Sequence, residues 1–199
     1  MDDKETGRLE AFSDGVFSIA ITLLVLELKV PHLGDYANDG DLLMALLQQW
    51  PSYIAYLVSF ATILIIWVNH HRLFNLIHKV DGRLMFLNGL LLLTVSTIPF
   101  PTALLAEHFR RPGATTAAAA YSGTYVLMAI AFNAIWHYAS HGHRLLKSSV
   151  TREHVRRVTG SYWLGPTLYG AAFVAAFFHV YLSVGLCAAL AVFYAIFGY

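Results

Sequence analysis

A carboxylate near the start of a mostly apolar stretch, Asp14, constrains this chain more than any other feature. The run from Ala11 to Val30, AFSDGVFSIAITLLVLELKV, is about long enough at 1.5 Å per residue to cross a hydrocarbon core of roughly 30 Å. Asp14 lies about one turn inside it. An intramembrane carboxylate is costly unless it is paired or faces a polar cavity, so by default it marks a functional position. The alternative is a side chain close enough to the interface for solvent to reach it. Arg8 and Ser13 lie nearby, which places three groups able to form a network within seven positions. At 100° per residue, Phe12, Val16, Ile19, Leu23 and Leu26 fall on one narrow face with Thr22 on its flank. Asp14, Ser18, Ile21 and Val25 point the opposite way.

The rest of the chain places this stretch in a polytopic membrane protein. Of its 199 residues 57% are hydrophobic and the mean hydropathy is +0.57, whereas soluble domains are about 45–50% apolar. A net charge of +1 supplies no basic field for nucleic acid. Cys187 is the single cysteine, so no intrachain disulfide can form. The acidic, polar N-terminus MDDKETGRLE differs from the basic start of a secretory signal, and the first helix is expected to be retained.

The hydropathy pattern predicts an all-α chain of six transmembrane helices, at about 8–29, 42–71, 84–105, 115–139, 158–179 and 181–198, forming a single domain over residues 1–199. The second segment exceeds one bilayer crossing, so either its first turns protrude or Pro51 breaks it. Pro99 and Pro101 bend or end the third, and Gly165-Pro166 interrupts the fifth. The fourth begins with the small residues TTAAAAYSG, which let helices approach closely in lipid. Lys29, Arg110 and Arg111 fall on one side and the remaining Lys and Arg on the other, which predicts cytoplasmic termini.

A motif goes further. The segment Arg8-Leu-Glu-Ala-Phe12-Ser13-Asp14-Gly15 matches the RxxxFSDG signature of the endolysosomal potassium channels called transmembrane protein 175, and the chain resembles their shorter bacterial relatives. The following VFSIAITLLVLEL is similar to the rest of that family's first helix. The resemblance implies a potassium-preferring leak channel in the bacterial inner membrane. It further implies a symmetric homotetramer, because a single six-helix repeat cannot surround an axial pore with its own first helix.

Taken alone, the stripe Ile19, Leu23, Leu26 reads as core packing. The resemblance implies instead that the first helix lines the pore and that these side chains form the constriction, rings stacked over about 10 Å. Such a neck can gate by dewetting, and selectivity then comes from the lower dehydration cost of potassium. Thr22 either offers its hydroxyl to a partly stripped ion or donates it back to the carbonyl of Ser18.

The second helix carries Trp67-Val-Asn-His70-His71 at the depth of Arg8, Ser13 and Asp14. This predicts an interhelix clamp in which Asp14 accepts from an imidazole or indole N–H, with Asn88 as a further member. No zinc-ligand spacing, HExxH, GxSxG or phosphate-binding glycine loop is present, so neither an enzyme nor a cofactor is expected. The expected partners are further copies of the chain, membrane lipid and permeant potassium ions. The competing function is a proton-coupled secondary transporter in which Asp14 and His70 or His71 titrate.

Overall fold

The computed structural model describes residues 2–32, 34 and 38–197, and it is built from helices. Helix α1 is Asp2–Leu23, closed by a 3-10 turn at Leu24–Glu27. It starts earlier than the apolar run and stops being α-helical earlier as well. Parts of the loop read at 31–41, and the end of the last helix at Gly198, lie outside the described residues.

The long second segment is two helices, α2 (Asp39–Gln48) and α3 (Trp50–Leu76). Asn38 caps α2, accepting from the Gly40 and Asp41 amides while the Asp41 carboxylate accepts from the Asn38 amide. Pro51 does not kink a continuous helix. It sits in the first turn of α3, where its missing N–H has no intrahelical partner to lose. The third segment is α4 (Gly82–Thr97) followed by α5 (Pro99–His108). Ile98 between them keeps a right-handed helical backbone, so the pair runs on as one stretch despite Pro99 and Pro101.

Helix α6 (Ala114–Ser140) follows the Gly113 turn, whose φ of 94° suits a residue without Cβ. The fifth segment starts several residues before the apolar run, as α7 (Arg152–Tyr162), and continues as α8 (Leu164–Ala176). Helix α9 is Val180–Phe197. Among the described residues four stretches are long and apolar enough to cross a membrane: Thr6–Glu27, Trp50–Leu76, Gly82–His108 and Ala114–His143. Val180–Ile196 is apolar but shorter.

The core gathers around α6, which touches α4, α5, α7, α8 and α9. Small residues make the approach to α8 possible: Ala117, Ala118, Ala172 and Ala176 are all buried. A Cβ on Gly123 would meet the Phe173 ring at 3.2 Å. A buried hydroxyl cluster ties α3, α5 and α6. Thr102 donates to the Ile98 carbonyl at 2.8 Å, so Ser59 must donate to Thr102 at 2.8 Å. Ser59 is then left to accept from Tyr121 at 3.1 Å and Tyr125 at 3.0 Å. Every hydroxyl finds a partner, as burial away from water demands.

At the other end, the loops after α3 and α6 are stitched together by the backbone. The Ile77–Leu146 bridge is supported by His78 N donating to Leu145 O at 2.8 Å and Lys147 N to Leu76 O at 2.9 Å. Asp81 caps α4 through the Leu84 amide at 2.9 Å and accepts from the Tyr138 hydroxyl at 2.7 Å. Arg144 lies 3.8 Å from the same carboxylate and over the Tyr138 ring. These contacts fix the end of α6 to the start of α4, the helix on which α1 packs.

Candidate conduction surface and polar clamp

Helix α1 packs on α3 and α4 through Ser13, Phe17, Ala20 and Leu24, spaced by four, three and four residues. On α3 the side chains that meet this seam are Trp67, hydrogen-bonded to Asp14, and His70, whose ring lies 5.4 Å from that of Phe17. Two polar connections cross this seam. In one, the Trp67 indole donates to the Asp14 carboxylate at 2.8 Å. In the other, Ser13 donates to the Leu9 carbonyl at 2.8 Å and accepts from the Asn88 amide at 2.9 Å.

Donor counting then fixes the far end of that chain. Asn88 has used its NH₂ on Ser13, so its carbonyl must accept, and His70 Nε2, 2.8 Å away, must carry the proton. The imidazole is held between Phe17 and Phe74, with ring centroids 5.4 and 4.4 Å away. Ser13, His70 and Asn88 are all buried, so each hydrogen bond is one whose loss would strand a partner.

Arg8 and His71 are corrections to the sequence reading, since neither joins this clamp. Arg8 is exposed, because four residues separate it from Phe12 and it shares that residue's outward face. His71 is rotated about 100° from His70, out of the seam, and among the described residues its close carboxylate is Glu10 at 3.9 Å, beyond hydrogen-bond distance. Glu10 is a residue the sequence reading did not single out. Its placement four residues before Asp14 was the available signal.

The opposite face of α1 is largely uncovered by the described residues beyond Val16. Ile19 is 60% exposed, Leu23 41% and Leu26 68%. Only 22% of the first span's apolar window is buried, against 39–56% in the other three. Leu26 lies on the 3-10 turn, so the stripe leaves α-helical register after Leu23 while keeping its outward direction. Thr22 is exposed on this face. Its hydroxyl donates back to the Ser18 carbonyl at 3.0 Å and the Ile19 carbonyl at 2.9 Å. That arrangement uses the proton and leaves the oxygen lone pairs as acceptors, so back-bonding does not by itself exclude cation contact. Beyond the stripe, Glu27, Lys29, Gln49, Glu107 and Arg111 line a polar recess of ≈ 370 Å³.

Comparison with known proteins bears on this geometry. The family model of the endosomal/lysosomal potassium channel TMEM175 matches residues 8–99. A potassium channel of Chamaesiphon minutus is 50% identical over 98% of this chain and 96% of its own length. The chain belongs to the TMEM175 family. A Streptomyces collinus potassium channel is 50% identical over 86% of this chain and 84% of its own length. The human TMEM175 protein, named an endosomal/lysosomal proton channel, is 35% identical over 74% of this chain, which spans 31% of it. The crystal structure of a lysosomal potassium-selective TMEM175 homolog from Chamaesiphon minutus superposes with a TM-score of 0.88 at 49% identity, covering 97% of both chains. The matched TMEM175 region contains the whole Ser13–Asn88–His70 chain, the Asp14–Trp67 pair and the apolar stripe.

Proposed function

We infer that this protein is a potassium-preferring leak channel of the bacterial inner membrane, a homotetramer with α1 of each subunit around the conduction axis. The observation that carries the reading is the largely uncovered face of α1. Large aliphatic side chains stand outward there, while the back of the same helix is held by a hydrogen-bonded polar clamp. A rigidly mounted helix with an uncovered apolar face is what a symmetric assembly needs at its axis. The six membrane crossings are α1, α3, α4 with α5, α6, α7 with α8, and α9, forming one channel domain with both termini in the cytoplasm.

In this reading Ile19, Leu23 and Leu26 make successive narrow rings. Ile19 is the tightest, because its β-branched side chain is stiff at χ1. Passage costs an ion part of its hydration shell. Potassium holds its water less tightly than sodium and passes more readily, with Thr22 offering lone pairs where the shell is incomplete. The high identity to potassium channels favours this reading over a proton-coupled carrier.

The test is a planar-bilayer recording of the purified protein with potassium on one side and sodium on the other. Unitary currents with a reversal potential displaced toward the potassium equilibrium value are expected. Slow, saturable, proton-linked flux without unitary steps would overturn the reading.

A further inference from the structure

A cavity of ≈ 770 Å³ lies among α3, α6, α7, α8 and α9, and no residue of α1, α2, α4 or α5 lines it. It therefore stands on the side of the subunit away from the conduction face. Its volume falls in the range of roughly 300–1,000 Å³ typical of small-molecule sites. The interior is apolar and aromatic, with Phe132, Tyr169 and Phe193 among its walls, whereas Arg72, His154 and Arg157 also line it. The charge is thus gathered where α3 and α7 approach the end of the molecule richest in Lys and Arg.

We propose that this cavity binds an anionic phospholipid, one acyl chain lying against the aromatic walls and the phosphate held by Arg72, His154 and Arg157. Two further observations support this occupant. Asn133 lines the cavity and donates through Nδ2 to the carbonyls of Ala129 at 2.9 Å and Tyr162 at 3.0 Å. Its Oδ1 is buried with no hydrogen-bond partner among the described residues. A headgroup or glycerol hydroxyl supplies the donor that this oxygen lacks.

The other observation is α7 itself. Val155, Val158 and Tyr162 pack toward the core, while Arg152, Arg156 and Arg157 are exposed. As the first turns of its crossing, a basic amphipathic helix of this kind places its charged face at the anionic membrane surface. Glu153, 3.6 Å from Arg157, is the one carboxylate on the helix, so α7 remains cationic. A zwitterionic lipid would satisfy the apolar part of the site and not this charge.

Gly165 provides a control for the acyl compartment. It lines the cavity, and a Cβ added there meets only the Ala129 Cβ at 3.7 Å and the Tyr194 hydroxyl at 3.9 Å, both ordinary contacts. The experiment is native mass spectrometry of the full-length protein, delipidated and titrated with phosphatidylglycerol or phosphatidylcholine of identical chains. Variants are compared at matching elution volume. One phosphatidylglycerol per subunit is expected to be retained at least fivefold more strongly than phosphatidylcholine. Arg157→Gln and Arg72→Gln should each lower that preference at least threefold, and Arg157→Lys should restore it. Gly165→Leu should weaken retention of both lipids, whereas Gly165→Ala should not. Arg157 is exposed, so its substitution remains informative if Arg72→Gln fails to fold. Equal retention of the two lipids, wild-type preference in Arg157→Gln, or displacement of phosphatidylglycerol by glycerol phosphate alone would overturn the proposal.

Discussion

The two faces of α1 are both mainly apolar and are treated oppositely. On the inner face Ser13, Asn88 and His70 form one buried hydrogen-bonded chain, and Phe17, Ala20 and Leu24 are buried. On the outer face Ile19, Leu23 and Leu26 stay exposed. The difference separates holding from conducting. Substitutions behind the helix should cost assembly and leave the permeation properties of surviving channels alone, whereas substitutions in front should do the reverse.

Asn88→Ala should give the largest effect. It removes both amide contacts and strands buried Ser13 and His70, at about 1–3 kcal/mol for each group left unpaired. Thermal unfolding in detergent should shift well below wild type while unitary conductance in surviving channels stays the same. A changed ion preference with normal melting would break the division between the faces. Asp14→Ala should follow at the lower end of that range, because the carboxylate and the Trp67 indole are only half-buried. Its readout is oligomer yield on size exclusion, and normal yield with altered selectivity would contradict a clamp role.

Thr22→Ala sharpens the outer face. If the hydroxyl lone pairs serve the ion, the potassium over sodium preference falls by a small factor and current persists. Unchanged reversal potentials would leave Thr22 with back-bonding alone. The smallest effect belongs to Asp81, distant from both faces. Burial raises its carboxyl pKa, but the Tyr138 hydroxyl, the Leu84 amide and Arg144 outweigh that and hold it below the ordinary carboxylate value. A depressed folded pKa means the stabilisation is present above the unfolded value and disappears as pH falls through the folded one. Asp81 is partly exposed, so the gain is screened. The melting difference between wild type and Asp81→Asn should be modest at neutral pH and shrink on acidification. A difference that grows in acid would have the wrong sign.

Much of the clamp follows from depth and wheel geometry. Asp14 and Trp67 meet because both lie near the same ends of adjacent apolar runs, where an indole N–H and a carboxylate must find partners. Ser13 and Asn88 follow from the same reasoning. Arg8 and His71 do not, because depth says nothing of rotation: each sits at the right level and on the wrong face. The change from α-helix to 3-10 turn at Leu24 falls within an unbroken apolar run, with no Gly or Pro to signal it. The break at Pro51 did carry its signal. The hydroxyl cluster around Ser59 joins residues 43 to 66 positions apart, each of which reads locally as an ordinary polar residue in a span. Its pairing depends on three helices meeting, which no single segment encodes.

Paired single-channel recording of Ile19→Asn and Ile21→Asn tests most directly whether the outer face of α1 lines the pore. Ile19 is exposed on that face and Ile21 is half-buried on the other. An amide at Ile19 lets water remain in the narrowest ring, so current should rise and sodium exclusion should fall. At Ile21 it should harm stability without changing conductance or selectivity in the channels that form. Ile19→Asn currents identical to wild type, or Ile21→Asn reproducing the gain in current, would contradict the account.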